Sequence, residues 1–226
     1  NWSPDGQRLA CASFDGTVTV WRKTSPQFEM EVESVLDGHE SEVKAVAFDH
    51  TGRYIATCSR DRSVWVYEKE SMEQPPGAEA EDEDAEAEED VDYCCAGVLQ
   101  GHTQDVKTVA WLPGSSRVVV SGGYDDVVKV WEESSKRKDD WHCVQTLVGH
   151  EGTVWGVAFQ RTQGNKDGAP RVFATCSADA SVAVWRQALQ STKMAVAAAG
   201  GETEMVATSD GPAFEVEWTK EATLTG

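Results

Sequence analysis

The sequence predicts an all-β fold in which one unit of short antiparallel strands is repeated four times. Two observations support this prediction. Residues 38–67 contain three alternating apolar runs of strand length, separated by turn-forming residues. In addition, an aspartate recurs between the second and third runs of each unit, at Asp15, Asp61, Asp125 and Asp179. A feature that recurs in this way is a stronger indication of fold than any single motif.

Other residues keep fixed distances from each turn aspartate. An aromatic residue lies six positions after it, at Trp21, Tyr67, Trp131 and Trp185. A small residue lies two positions before it, at Ser13, Ser59, Gly123 and Ser177. Gly-His pairs precede three of the units, at residues 38–39, 101–102 and 149–150. This combination resembles the WD-repeat signature, which implies a β-propeller with four strands per blade.

The resemblance to WD repeats also implies a buried hydrogen-bond network in each blade, in which histidine, aspartate, serine and tryptophan are partners. The expected members are His39, Ser59 and Asp61; His102, Asp125 and Trp131; and His150, Ser177, Asp179 and Trp185. A network of this kind fixes one geometry when every member is satisfied. Ser, His and Asp together also form catalytic triads. Because these sets recur in each blade, we interpret them as structural and predict that the protein is not an enzyme.

The strands can be assigned in chain order. The first blade has strands at 9–13, 17–21 and 28–36, preceded by the tail of another strand at 1–2. We expect the second blade at 43–48, 54–58, 64–67 and 93–99, and the third at 105–111, 118–122, 127–131 and 141–147. The fourth uses 153–159, 172–177, 182–185 and a strand near 214–224. Residues 1–226 therefore form a single partial propeller, with blades at about 1–36, 42–99, 105–147 and 153–224, and we expect a fragment with both ends cut within repeats.

Long insertions lie on one side of this arrangement. Residues 69–92 and 188–211 are the two largest inserts, and ten of the 39 acidic residues lie within 79–92. The acidic composition predicts a disordered loop, and the Ala/Gly-rich stretch at 188–211 a low-complexity one. All long insertions follow a first or third strand and so emerge on one face. The other face keeps short loops on a rigid scaffold, and we expect the binding surface there.

Composition restricts the classes of partner and cofactor. The net charge of −19 disfavours binding to nucleic acid and to anionic membranes. No apolar run approaches the roughly 20 residues needed to span a bilayer. The six cysteines lack the CxxC spacing of a metal site, so no cofactor is expected, and free cysteines on strands suit a reducing compartment.

Several residues on the short-loop face are candidates for partner binding. They are the turn residues Arg60, Arg62 and Tyr124, and three residues near first-strand starts, Lys44, Lys107 and Trp155. Arg, Tyr and Trp are enriched at interface hot spots. Arg60, Arg62 and Lys44 are expected to form a small positive spot, with Arg60 pointing outward. The alternative is that Arg60 is a solvated arginine paired with a neighbour.

Five sequence segments make the resemblance more specific: residues 38–44, 56–66, 102–107, 149–155 and 184–187. They are similar to the WD-repeat subunit of cytosolic iron–sulfur protein assembly, over most of residues 1–187 and weakly over 213–226. That resemblance implies a seven-bladed propeller and a non-catalytic scaffold, located in the cytoplasm and also in the nucleus. Its implied partners are the other subunits of the iron–sulfur targeting complex and apo iron–sulfur proteins. The alternative is a generic WD-repeat adaptor, such as a ubiquitin-ligase substrate receptor.

Overall fold

A computed structural model of the chain describes residues 1–71, 91–160, 172–188 and 217–225. All regular structure in these ranges is β-strand, arranged in four antiparallel sheets. Because no helix occurs in them, none of the described segments supplies a helix that could cross a membrane. The prediction of an all-β fold with four blades is confirmed.

Each sheet is one blade, with its strands paired in chain order. Blade 1 contains β1 (Arg8–Ala12), β2 (Val18–Lys23) and β3 (Met30–Leu36), and an isolated bridge joins Trp2 to Leu9. Blade 2 contains β4 (Val43–Phe48), β5 (Tyr54–Ser59), β6 (Ser63–Ser71) and β7 (Val91–Gln100). Blade 3 contains β8 (Val106–Trp111), β9 (Val118–Gly123), β10 (Val127–Glu133) and β11 (Trp141–Val148). Blade 4 contains β12 (Val154–Phe159), β13 (Val172–Ser177), β14 (Ser181–Ala188) and β15 (Glu217–Thr225).

The blades stand side by side around a common axis. The first strands contact one another from blade to blade, β1 with β4, β4 with β8 and β8 with β12. The last strands also contact each other, β3 with β7, β7 with β11 and β11 with β15. First strands therefore lie on the inner side and last strands on the outer side, as in a β-propeller.

Some strand ends differ from the sequence-based expectation. Strands β6 and β7 pair Lys69 with Tyr93 and Glu70 with Asp92, so both ends of the expected 69–92 insert are strand. Strand β14 continues to Ala188, and the last strand is described from Glu217 onward, while residues 214–216 lie outside the described residues. The strands continue because their backbone groups find ladder partners even where the side chains are polar, which composition does not reveal. The expected disorder of the acidic insert and the low-complexity stretch at 188–211 fall almost entirely outside the described residues.

The core lies between blades. Alternate residues of a strand point to opposite neighbours. Ile55 packs with Val18 and Val20 of blade 1, whereas Ala56 packs with Val106 of blade 3. The prediction that the apolar runs are buried strands is therefore confirmed within each described blade.

The same alternation leaves one face of blade 4 open within the described residues. The leucine that pairs with the start of each third strand is 4% exposed at Leu36, 2% at Leu99 and 4% at Leu147, but 58% at Leu224. Burial of a leucine side chain is worth about 1.5–3 kcal/mol. Blade 4 thus carries an apolar surface shaped like those that the next blade covers in blades 1, 2 and 3.

Candidate partner-binding face

The turn between the second and third strands has the same backbone geometry in every blade. The residue after the turn aspartate has a positive φ: 94° at Gly16, 73° at Arg62, 63° at Asp126 and 60° at Ala180. The aspartate also accepts a hydrogen bond from the backbone N–H two residues later, as Asp61 does from Ser63 at 2.8 Å. This turn holds the residue before each aspartate at the tip of the blade.

In blade 2 the turn is tied to the loop that carries the Gly-His pair. Nδ1 of His39 lies 2.7 Å from Asp61, and Nε2 lies 2.7 Å from the hydroxyl of Thr57. Asp61 also accepts a hydrogen bond from the backbone N–H of Glu40. The side chain of His39 is 1% exposed. These bonds fix two loops of the short-loop face, hereafter the compact face, against each other.

Blade 3 has a closed version of this network. His102 contacts Asp125 through Nδ1 at 2.9 Å and Ser121 through Nε2 at 2.7 Å. The indole N–H of Trp131 donates to the same Ser121 hydroxyl at 2.8 Å. One hydroxyl therefore serves both a histidine and a tryptophan.

Blade 4 repeats the closed version with a threonine. His150 contacts Asp179 at 2.9 Å and Thr175 at 2.8 Å. Trp185 donates to the Thr175 hydroxyl at 2.9 Å. The histidine, aspartate and tryptophan positions expected from the sequence are thus brought together in blades 3 and 4.

The expected position of the network serine is wrong. Ser59 donates to the Ser41 carbonyl at 3.1 Å and accepts from the Asp61 N–H at 3.1 Å, so it closes the turn and does not contact the histidine. Ser177 does the same in blade 4, where it donates to the Gly152 carbonyl. The reason is geometric, because these serines end their strands and lie beneath the turn backbone.

The hydroxyl that contacts the histidine lies two residues earlier, and sequence reasoning missed it. It is four residues before the turn aspartate in three blades, at Thr57, Ser121 and Thr175. A signal was present, since all three positions carry a hydroxyl, whereas the same position in blade 1 is Cys11. Blade 2 differs from blades 3 and 4 at the tryptophan position, where Tyr67 donates a hydrogen bond to the Asp37 carbonyl instead of to the network hydroxyl.

Hydrogen bonding and burial set the charge states of the blade 2 network. Burial of the His39 ring lowers its pKa more than the Asp61 carboxylate raises it. For Asp61, burial alone would raise the pKa, but hydrogen bonds from Ser63 and His39 outweigh it and hold the pKa below 3.8. The pair is therefore a neutral histidine that donates to a carboxylate.

Ser121, His102 and Asp125 have the contacts of a catalytic triad, but not the setting of one. Ser121 is 0% exposed, and its hydroxyl already accepts a hydrogen bond from Trp131. A nucleophile needs access to substrate. The geometry therefore supports a stabilising role for this set.

A β-bulge places three of the candidate residues on the compact face. The register of the first strand shifts between Val43 and Ala45, between Val106 and Thr108, and between Val154 and Gly156. The skipped residues are Lys44, Lys107 and Trp155. Bulges re-aim side chains and are common near functional sites.

All three bulge residues contact aromatic turn residues. The ammonium of Lys44 lies 4.3 Å from the centre of the Phe14 ring, and that of Lys107 lies 4.1 Å from the centre of the Tyr124 ring. The ring of Trp155 packs edge-on against Tyr124, with centres 5.7 Å apart. Phe14 is 76% exposed and Trp155 is 50% exposed. The compact face therefore presents aromatic rings with attached cations.

Arg60 points outward, but it is not unpaired. Its guanidinium lies 3.1 Å from the Glu42 carboxylate, and the ammonium of Lys44 lies 3.9 Å from the same oxygen. The expected positive spot is therefore partly neutralised by Glu42, which the sequence analysis did not consider as a counterion. Arg62 is exposed and makes no ion pair with any described residue.

The opposite face contains a cavity of about 600 Å³ between blades 1, 2 and 3. Several charged groups in it are paired: Arg53 and Lys138 both contact Glu68, at 2.6 and 2.8 Å, and Arg8 contacts Glu33 at 2.7 Å. In the described part of the chain no group of three or more His, Cys, Asp or Glu side chains is placed to hold a metal ion. The contacts of Lys44 and Lys107 with aromatic rings lie on the compact face, and the opposite face has a further contact of this kind, between Lys23 and Phe28 at 4.6 Å.

Comparison with known proteins is consistent with this architecture. The family model described as "WD domain, G-beta repeat" matches residues 1–22, 30–68, 93–132 and 141–186. The last three matches each begin at the outer strand of one blade and end in the third strand of the next, and together the four matches cover more than half of the chain.

Similar individual proteins are found among fungi. Proteins named probable cytosolic iron-sulfur protein assembly protein 1 match from Chaetomium globosum, Neurospora crassa and Vanderwaltozyma polyspora, with identities of 38%, 35% and 37%. The matches cover 70%, 79% and 82% of this chain, but 35%, 46% and 50% of those proteins. The chain thus spans between a third and a half of the length of these curated relatives.

Proposed function

The chain belongs to the WD-repeat family, and we propose that it acts as a docking scaffold in cytosolic iron–sulfur protein assembly. The observation that carries the docking role is the compact face, where neighbouring blades join cations and aromatic rings into exposed clusters. Aromatic residues and arginine supply most binding energy at protein interfaces. The assignment to iron–sulfur assembly follows from the names of the fungal relatives.

The partners we propose are proteins: the other subunits of the iron–sulfur targeting complex and apo iron–sulfur proteins that receive a cluster. The iron–sulfur cluster is then cargo that passes between partners. The proposed location is the cytoplasm, as the names of the relatives indicate for those proteins, with the nucleus as a second compartment.

The proposed contact residues are Arg60, Arg62, Lys44, Tyr124, Lys107 and Trp155. Their arrangement supports two adjoining subsites. Lys44, Arg60 and Phe14 form one at the junction of blades 1 and 2, and Lys107, Tyr124 and Trp155 form the other at the junction of blades 3 and 4. A partner that binds both subsites would contact the junction of blades 1 and 2 and the junction of blades 3 and 4. The loops at both junctions are held in place by the histidine networks.

A non-catalytic role is favoured by the burial of the hydroxyls that contact Nε2 of the network histidines. The hydroxyls of Thr57, Ser121 and Thr175 are buried and engaged with histidine or tryptophan. Their repetition from blade to blade is explained by stability, since each closes a polar network that would otherwise leave buried groups unsatisfied.

The experiment that tests the proposal is affinity capture followed by identification of the retained proteins. The tagged chain and a variant in which Arg60, Lys107 and Trp155 are all replaced by alanine are incubated with cell extract. We expect the unmodified chain to retain iron–sulfur assembly factors and apo iron–sulfur proteins, and the triple variant to lose them while keeping its melting temperature.

Retention of ubiquitin-ligase subunits in place of assembly factors would support the adaptor alternative and contradict the proposal. Equal capture of assembly factors by both proteins would place the docking surface elsewhere on the propeller.

A further inference from the structure

In blade 2, a carboxylate of the protein itself forms ion pairs with the cationic groups of the compact face. One oxygen of Glu42 lies 3.1 Å from Arg60 and 3.9 Å from Lys44, and the other accepts a hydrogen bond from the Ser41 hydroxyl at 2.6 Å. Hydrogen bonds from Ser41, from the backbone of Glu42 and from Arg60 lower the pKa of the carboxyl to about 2. Glu42 is therefore ionised and held in place at neutral pH.

The equivalent positions in the neighbouring blades differ in a graded way. Three residues after the Gly-His histidine stands Glu42 in blade 2, Asp105 in blade 3 and Thr153 in blade 4. The Asp105 carboxylate forms an ion pair with the bulge lysine, Lys107, at 3.5 Å, and the residue at the tip of that blade is a tyrosine, Tyr124, rather than an arginine. Among these three blades, an acid that engages both a tip arginine and a bulge lysine occurs in blade 2.

We propose that Glu42 is a specificity-determining residue of the compact face, a built-in competitor that a partner must displace to reach Arg60. The inference rests on the proposed docking role of this face and adds which chemical group can dock. A partner carboxylate replaces what Glu42 supplies, because it carries the same charge and accepts the same hydrogen bonds. A neutral amide or hydroxyl does not compensate for the lost ion pair.

The position of Glu42 makes the exchange feasible. The guanidinium of Arg60 is 60% exposed and can turn away from Glu42 without breaking any contact in the buried network. When it does, Glu42 keeps the hydrogen bond from Ser41 and its proximity to Lys44. The competitor is therefore displaced from the arginine alone, and the backbone bond from the Arg60 N–H to the Glu42 carbonyl, at 3.0 Å, keeps both strands in place.

The test uses the 226-residue chain and two synthetic probes, so that it does not depend on an identified partner. The probes are an acetylated, amidated peptide of alternating glutamate and glycine, and the same peptide with glutamine in place of glutamate. Binding is followed by NMR through the side-chain Nε–H resonance of Arg60, assigned by its loss in Arg60→Ala. In the unmodified chain we expect that resonance to respond weakly to the glutamate peptide and not to the glutamine peptide.

The decisive variant is Glu42→Gln. Exposed ion pairs contribute up to about 1 kcal/mol, so removal of the competitor should tighten glutamate-peptide binding by about two- to fivefold. Glu40→Gln is the matched control, because it removes the same charge two residues away without contacting Arg60. The proposal is overturned if Glu42→Gln binds the glutamate peptide no more tightly than Glu40→Gln does.

The competitor role of Glu42 and the docking role of the compact face can fail independently of each other. If Glu42→Gln tightens peptide binding but Arg60→Ala captures assembly factors normally, the competitor stands and the docking role of this subsite fails. If Arg60→Ala loses the assembly factors but Glu42→Gln changes nothing, the docking role stands and the competitor fails.

Discussion

The indole N–H of Trp111 in β8 donates a hydrogen bond to the backbone carbonyl of Ala47 in β4, at 3.0 Å, and so crosses from blade 3 to blade 2. Trp111 is 6% exposed and belongs to the core cluster between these two blades. A side chain of the apolar core on one inner strand thus hydrogen-bonds the backbone of the neighbouring inner strand. It makes the two blades dependent on each other for stability.

We predict that Trp111→Phe lowers the free energy of unfolding by about 1–3 kcal/mol, because it leaves a buried carbonyl without its donor. The aromatic ring itself is tolerated at this position, since blade 4 has Phe159 there. Urea denaturation followed by tryptophan fluorescence and circular dichroism measures the change. Trp155→Phe is the control; it alters an exposed tryptophan and should shift stability by no more than about 0.5 kcal/mol. Equal effects of the two substitutions would contradict the prediction.

The network hydroxyls give a graded prediction. Ser121→Ala leaves both Nε2 of His102 and the indole N–H of Trp131 without a partner, whereas Thr57→Val leaves only Nε2 of His39 without one. Each unsatisfied buried group costs about 1–3 kcal/mol. Ser121→Ala should therefore destabilise the protein by more than Thr57→Val does, as measured by urea midpoints for both variants. A larger effect of Thr57→Val would mean that Trp131 finds another acceptor.

Stability should fall as the pH is lowered from 7, in two steps. Because the pKa of His39 is lowered in the folded protein, the unfolded chain binds the proton more tightly below pH 6.5, and stability that is fully present above pH 6.5 is lost below it. Asp61, whose pKa is also lowered, adds a second loss as the pH falls below 3.8. Urea midpoints between pH 4 and pH 8 measure the first step, and His39→Gln should reduce its slope. An unchanged slope in that variant would assign the step to other groups.

Arg60 provides the test of the compact face in binding. A charge-assisted hydrogen bond is worth about 1.5–3 kcal/mol, so Arg60→Glu should weaken partner binding by about ten- to hundredfold. The melting temperature should stay close to that of the unmodified chain, because the side chain is exposed and lies outside the network. Binding is measured by titration against a retained assembly factor, with a thermal melt alongside. A large fall in melting temperature would show that Arg60 has a structural role instead.

The open face of blade 4 predicts self-association. Leu224 is 58% exposed at a position that is buried in the three preceding blades, and exposed apolar surfaces of this kind mark association sites. We expect the 226-residue chain to associate in a concentration-dependent manner in analytical ultracentrifugation, and Leu224→Glu to reduce it. Val148→Glu is the control, since Val148 is 75% exposed away from this face. A monodisperse monomer at all concentrations would contradict the prediction.

The repeat predicted the fold well, because the alternating apolar runs and the turn aspartate recur in all four units. Strand ends were harder to predict, as at Lys69 and Glu70, where backbone pairing extends a strand through charged residues. The network histidines and aspartates were predicted through the resemblance to WD repeats. The network hydroxyl was misplaced by two residues, since Ser59 and Thr57 point to the same face of β5 and only their depth beneath the turn distinguishes them.

The compact face was predictable in its residues but not in its contacts. The counterion Glu42 and the ring contacts of Lys44 and Lys107 depend on side chains from neighbouring strands and turns, whose distances spacing does not give. The β-bulge was also hidden, because it changes which residues face each other across two strands without leaving a mark in the apolar pattern.

That bulge has a consequence for how such a surface can change. The backbone of the first strand has Lys44, Lys107 or Trp155 at the same place, and the strand is paired with its neighbour on both sides of the bulge. Blades 2, 3 and 4 therefore each have one outward position whose side chain can be exchanged almost independently of folding. Recognition on this scaffold can diverge, or be redesigned, one blade at a time while the histidine networks beneath it stay constant.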